Sequence, residues 1–258
     1  MSGHEILQIQ QLTKTFGGVH AVENVSFSIE KGKITAVIGP NGAGKTTLFN
    51  MITGILPVSS GTVLFKGQPI TGKKPYQIAK LGITRTFQNL QVFGNMTVIE
   101  NVMTGLHHRL KTGMLAAGLR LPSVLKEEKQ TFEKALEHLS LVGIDHLAYE
   151  MAATLPYGNQ RLLEIARAAV SDPSIILLDE PMAGLNPEES RKLVQVLKNM
   201  RENGMTFLFV EHDMETVMSL ADHIVVLDYG KKIAEGTPEE VSKNPEVIAA
   251  YLGEEEVV

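Results

Sequence analysis

An α/β fold built around a mostly parallel sheet is predicted by three observations. The apolar run Ile34–Ile38 leads directly into the glycine-rich Gly39-Pro40-Asn41-Gly42-Ala43-Gly44-Lys45-Thr46-Thr47 and then into a helical pattern. Three later runs, Ile175 to Leu178, Thr206 to Val210 and Ile224 to Leu227, repeat the same signature of a strand covered on both faces. Helices with readable ends separate them, which is the alternation of a parallel α/β core.

Each element has its own local reason. Ahead of the core, ILQIQQLTKTF and VENVSFSIE alternate, with Val25, Phe27 and Ile29 on one face and the Lys31-Gly32-Lys33 turn behind them, so they are expected as antiparallel strands. Between about Met96 and Leu155 the β-runs vanish and Leu, Met and Ala dominate among charges, predicting an inserted helical subdomain between α/β segments 1–95 and 156–258. Within it, roughly 106–125 is glycine-broken and basic, and GMLAAGL is too short to span a bilayer, leaving a docking surface or a packed helix pair. Downstream, Asn186 as N-cap, Pro187 at the first helical position and Glu189 form a capping box. Leu193, Val196, Leu197 and Met200 then follow at core spacing until Gly204, and Thr237-Pro238-x-Glu240 repeats the same start signal.

Composition narrows the function. At 258 residues the chain can bury a sizeable core without staples. Its 24 Lys+Arg against 29 Asp+Glu argue against a surface made to grip nucleic acid. The absence of Cys excludes disulfides, thiolate metal sites and Cys nucleophiles. His107 and His108 are adjacent and cannot share one ion from a regular helix, and no His-Glu-x-x-His run occurs. The N-terminal residues lack an export-signal pattern, and no window reaches the length of a spanning helix, so the chain is expected to be neither exported nor membrane-embedded. With 43% hydrophobic residues, a covered face is expected.

Gly39 to Thr46 matches G-x-x-x-x-G-K-[ST] in the setting that gives the motif meaning, after a strand and before a helix. Glycines let backbone N–H groups approach clustered phosphate charge, and a helix beginning near Lys45 points its positive end the same way. Lys45 is expected on the β- and γ-phosphates, Thr46 on Mg²⁺ and Thr47 on a further phosphate oxygen. Ser174-Ile-Ile-Leu-Leu-Asp179-Glu180 reads as a buried strand ending in two acids. At the C-terminal edge of a parallel sheet, Asp179 can hold the metal and Glu180 can act as general base toward water.

With these motifs in this order, the chain resembles the ATP-binding subunits of ABC transporters from about Ile6 to Leu252, as a single domain with a P-loop NTPase core. The resemblance implies that Gln88 in TRTFQNL is the Q-loop glutamine that touches the metal and senses the membrane partner. It also implies that His212 after TFLFVE is the switch histidine at the γ-phosphate and that Phe16 stacks on adenine. Leu155-Pro156-Tyr157-Gly158-Asn159 stands at the signature loop, which in the family completes the nucleotide site of the facing subunit. Pro156 replaces the usual serine, Tyr157 replaces a glycine, and Asn186 stands where an aspartate is usual. The segments FGGVHAVENVSF, GITRTFQNLQVFGNMTVIENV, PYGNQRLLEIARAA and EPMAGLNPEE are similar to the larger of two paired branched-chain amino-acid transport ATP-binding types. Urea, other amide and lipopolysaccharide export systems share much of this wording.

The resemblance implies an ATPase with ATP and Mg²⁺ as cofactors, placed peripherally at the cytoplasmic face of the inner or plasma membrane. Its implied partners are integral-membrane permease subunits, a second ATP-binding subunit that is a copy or a paralogue, and, indirectly, a solute-binding protein, with no nucleic acid. Two other readings stand beside it. A non-transport member acting on nucleic acid or ribosomes usually carries tandem cassettes, a long coiled coil or basic surfaces, none of which appears. A regulatory module that switches without turnover is opposed by the Asp179-Glu180 pair.

Overall fold

The alternating N-terminal runs pair with each other. In a computed structural model, which describes residues 5–86, 90–107 and 122–255, strands β1 (Glu5–Phe16) and β2 (Val19–Glu30) form a long antiparallel hairpin. Strand β3 (Ile34–Ile38) is buried at every position and is followed by helix α1 (Lys45–Ile52). Then come β4 (Ser60–Phe65), β5 (Gln68–Pro69), α2 (Pro75–Leu81) and the three-residue β6 (Ile83–Arg85). The antiparallel sheet has the order β2-β1-β4-β5.

The inserted stretch is helical where it is described. Helices α3 (Val98–Thr104), α4 (Pro122–Leu141) and α5 (Tyr157–Ala169) pack on one another. Thr97 caps α3 in a reciprocal box with Glu100, whose carboxylate accepts from the Thr97 N–H at 2.8 Å. Fully buried Asn101 donates to the Phe93 and Thr97 carbonyls, 3.0 Å each, and accepts from the Phe93 N–H, which pins the chain entering the helix. The compact helical unit takes in the described part of 86–173 together with 183–196, wider than the 96–155 suggested by composition. Its extension over α5 has a physical reason: α5 packs on α3 and α4.

The α/β unit comprises the described residues up to 85, then 174–182 and from 197 on. Strand β7 (Ile175–Asp179) precedes helix α6 (Pro187–Glu202), followed by β8 (Phe207–Val210), α7 (Met214–Leu220), β9 (His223–Asp228), β10 (Lys231–Gly236), α8 (Pro238–Ser242) and α9 (Pro245–Glu255). The second sheet runs β10-β9-β3-β8-β7-β6, parallel throughout except for the β9–β10 hairpin.

Both capping boxes occur as the sequence predicts. The Asn186 side chain accepts from the Glu188 and Glu189 N–H groups at 3.0 Å, and Thr237 pairs reciprocally with Glu240. Helix α6 closes with Gly204 N–H donating to the Arg201 carbonyl and Met205 N–H to the Met200 carbonyl, a Schellman ending. Leu7, Ile9 and Leu12 of β1, Leu48, Phe49 and Ile52 of α1, and Val37, Leu177, Leu208 and Val225 of the parallel sheet share one core. At about 1.5–3 kcal/mol for each such side chain, this burial outweighs the solvent-exposed ion pairs at about 0–1 kcal/mol each.

Candidate active site

The parallel register brings the motif-bearing segments to one edge. Val37 of β3 and Asp179 of β7 both pair with Val210 of β8, so the three strands end in one row. Gly39, Glu180 and the Glu211-His212 pair therefore leave the sheet at the same C-terminal edge, where open α/β sheets bind ligands.

Two glycines of the loop are required by close approach as well as by backbone conformation. Gly39 has φ +150° and a side chain there would meet the Leu227 carbonyl oxygen at 2.0 Å; Gly44 has φ +98° and would meet that of Ala21 at 2.3 Å. The loop between them presents Asn41 and Gly42 to solvent and buries Pro40 and Ala43. The Lys45 ammonium is buried and donates to the Gly39 and Pro40 carbonyls at 2.6 and 2.9 Å, so the cation lies along the loop. Thr46 is exposed and Thr47 half-buried in the first turn of α1, which carries no acidic residue. First-turn amides lack partners within a helix and add to its positive end, so the loop and the helix together favour an anion. A cleft of about 510 Å³ also borders the loop, but Asp228 and Glu246 among its lining residues make it the wrong seat for phosphate.

Asp179 is tied to the same helix by a residue the motifs do not single out. Arg85, at the end of β6, donates to Asp179 Oδ2 at 2.6 Å, to Asn50 Oδ1 at 2.7 Å and to Thr53 Oγ1 at 3.2 Å, with its guanidinium 5.7 Å from the Phe49 ring centroid. Both members of the ion pair are buried, at 8% and 5% side-chain exposure. Removing one partner of such a pair strands a charge in a low-dielectric setting, so Arg85→Ala is expected to cost about 3–5 kcal/mol of stability, read by denaturant unfolding. An unchanged midpoint and slope would show that solvent replaces the guanidinium without penalty.

Glu180 follows β7 in an unusual backbone state. Its φ is +47°, the left-handed region, which costs a residue bearing a Cβ about 1–2 kcal/mol. Its N–H donates to the Val210 carbonyl at 3.0 Å. Beyond it, the Met182 N–H donates to Glu211 Oε1 at 2.8 Å, and Glu211 Oε2 accepts from the His212 N–H at 3.2 Å. Burial pushes the Glu211 carboxyl above the usual carboxylate range, as does the nearby Glu180 charge, while these amide donors and His212 oppose the rise. The His212 side chain is 63% exposed and its Nδ1 lies 3.8 Å from Glu211 Oε2. Phe16 is 48% exposed at the end of β1 with the Lys14 ammonium 4.9 Å from its ring centroid. Gln88 lies outside the described residues, as does most of the basic segment at 106–125.

Comparison with known proteins decides the family. The ABC transporter family model matches residues 22–183, and a branched-chain amino acid ATP-binding cassette transporter model matches 231–257. The chain is 44% identical over 250 residues to the high-affinity branched-chain amino acid transport ATP-binding protein BraF of Pseudomonas aeruginosa, covering 96% of this chain and 98% of that protein. The chain belongs to the ABC transporter ATP-binding family.

Among solved ABC cassettes, one in an ADP conformation has a TM-score of 0.84 at 36% identity, covering 96% of this chain and 99% of its own. A dimeric post-hydrolysis cassette bound to ADP and Pi has a TM-score of 0.75 at 25% identity, covering 90% of this chain and 99% of its own. The fold expected from sequence is thus that of an ABC ATPase, with a parallel core, an antiparallel β sheet and a helical insertion.

Residues 155–159, which the resemblance places at the signature loop, lie in the helical unit at the start of α5. Pro156 is the N-cap and supplies no side-chain hydrogen bond, so the first-turn amides of Tyr157, Gly158 and Asn159 carry the polar character of this helix end. Gly158 is buried, and a Cβ there would meet the Glu189 carboxylate at 2.6 Å. Tyr157 fills space that the usual glycine would leave open. Its hydroxyl donates to the Ala183 carbonyl at 3.3 Å and accepts from Arg161, also at 3.3 Å. Arg161 is itself fully buried and bound to Glu164 at 2.9 Å. Gly184 backs onto the Tyr157 ring, where an added Cβ would stand 3.1 Å from it. Helix α5 and the loop after Glu180 are therefore joined within one compact unit by Tyr157, whose hydroxyl the buried Arg161 holds.

Proposed function

We propose that this chain is the ATP-hydrolysing subunit powering a branched-chain amino-acid importer, working with membrane-embedded permease subunits and a second ATP-binding subunit. The observation that carries this reading is near-full-length likeness to a branched-chain amino-acid transport subunit. It is supported by the match at the C-terminal segment, where such transporters have their own family model. Among the described residues no helix is long and apolar enough to cross a membrane. In this reading the chain meets the bilayer-spanning subunits peripherally, at the cytoplasmic face.

The backbone N–H groups of residues 39–47, of which Pro40 has none, and the Lys45 ammonium bind the triphosphate, and Phe16 stacks on adenine. The exposed hydroxyl of Thr46 and the buried carboxylate of Asp179 are hard oxygen donors that fit Mg²⁺, and Gln88 is the third family position for it. Held there, the ion supplies charge neutralisation on the phosphate oxygens. Glu180 takes the proton of the attacking water, and His212, exposed beside it in the sheet-edge row, contacts the γ-phosphate. Tyr157, Gly158 and Asn159 close the site of the facing subunit. Because Pro156 brings no hydroxyl to that site, the facing subunit is a paralogue whose own signature completes the site on this chain's P-loop.

Reconstitution into liposomes with the co-purifying membrane subunits tests the reading. ATP-driven uptake of leucine, isoleucine and valine is the expected result. Uptake of urea or amides, outward movement of lipopolysaccharide, or purification as a homodimer with full coupled activity would overturn the corresponding part.

A further inference from the structure

The turn that carries Glu180 is held by a second acid that no motif assigns. Glu211 sits one residue before His212 with its side chain 1% exposed, and its two oxygens face two different backbone segments. One receives the N–H of Met182, two residues after Glu180, and the other receives the N–H of His212. Between these bonds, Glu180 stands in its left-handed conformation with its own N–H on the Val210 carbonyl. A non-glycine residue stays in that region only where its surroundings over-determine it. Here the chain is gripped at the strained residue by β8 and just beyond it by the Glu211 carboxylate. All of these groups lie in the α/β unit.

We propose that Glu211 is a positioning residue: its buried carboxylate clamps the Glu180 turn and the backbone of His212 together, fixing the base and the switch histidine relative to each other. The clamp needs an acceptor at both ends. Gln has nearly the same shape but presents one oxygen and one NH₂, so it must oppose a donor to one of the two amides. Asp keeps both acceptors on a shorter stem. The inference rests on the assignment of Glu180 as the base, and the experiment separates the two.

In the assembled transporter, Glu211→Gln is expected to lower kcat for ATP by about 10–100-fold, as small misplacements of a reacting group do, with the ATP KM within about twofold. Glu211→Asp is expected to lose less than Glu211→Gln despite its poorer match in size. On a Glu180→Gln background, Glu211→Gln is expected to change kcat no further. An unchanged kcat in Glu211→Gln, with Glu180→Gln inactive, would overturn the clamp and leave the base standing, as would a loss confined to KM. A fully active Glu180→Gln would remove the base and the clamp with it. Should Glu211→Gln fail to fold, hydrogen exchange in the unaltered protein decides: Met182 and His212 amides protected like those of β8 support the clamp, and freely exchanging ones overturn it.

Discussion

Glu180→Gln is expected to reduce steady-state ATP hydrolysis by the assembled transporter by about 10²–10⁴-fold, the range general-base catalysis supplies. Gln is isosteric and meets the same left-handed backbone cost as Glu, and the bond from residue 180 N–H to the Val210 carbonyl is untouched by the side chain. The substitution therefore leaves the turn in place and removes only the proton-accepting carboxylate. Nucleotide affinity, assigned in the proposed function to residues 39–47, is expected to stay within about threefold, and ATP should accumulate on the protein unhydrolysed. Phosphate release and retained radiolabelled nucleotide measure the two halves of this statement. Turnover near the unaltered rate would take Glu180 out of the mechanism.

Lys45→Ala is expected to weaken ATP binding by at least about 100-fold. Hydrogen bonds to charged groups contribute about 1.5–3 kcal/mol each, and one tenfold step in affinity is about 1.4 kcal/mol, so losing even two such contacts to phosphate oxygens reaches that level. The same substitution frees the Gly39 and Pro40 carbonyls, both in buried positions, from their ammonium donor. The nucleotide-free protein should lose stability as well, by about 1–3 kcal/mol. Calorimetric titration with Mg-ATP and thermal unfolding without nucleotide separate the two effects. Unaltered affinity would mean that the amides alone hold the phosphates.

Much of the α/β unit is legible from the chain because its signals are local. Ile34–Ile38 is apolar at almost every position and meets a glycine-rich turn, and Asn186 and Thr237 announce helix starts within four residues. The antiparallel hairpin is equally plain, since alternation at Val25, Phe27 and Ile29 needs only one covered face. Strand β6 offers no such pattern: three residues are too few for a period, and the strand exists because Ile83 to Arg85 pair with β7 more than 85 residues away. The helical unit is wider than its compositional boundary for the same kind of reason, since α5 reads as part of the following α/β segment until its packing on α3 and α4 is known.

The site divides along the same line. Residues 39–47, Asp179 and Glu180 are candidates by spacing and stand at the C-terminal edge of the parallel sheet, whereas Arg85 and Glu211 bond partners 94 and 29 residues distant, and neither has a motif. A signal was nonetheless present for Glu211 alone. Arg85 ends a three-residue strand with no pattern of its own, and Glu211 is an acid ending a strand without a solvent-facing alternation. Long charged side chains are seldom enclosed without a partner, so an acid or base at a buried-strand terminus is a reason to look for one.

The seating of the Tyr157 ring against Gly184 has an evolutionary consequence. With only 3.1 Å between an added Cβ and the ring, and φ +79° at residue 184, a side chain there both crowds the phenol and strains its own backbone, so glycine is held at 184 on two counts. The two sites, 27 positions apart along the chain, are thus coupled, with a smaller residue at 157 easing the crowding at 184 but not its backbone requirement. A glycine at 157 would relieve the crowding and lose the hydroxyl's bond to Ala183.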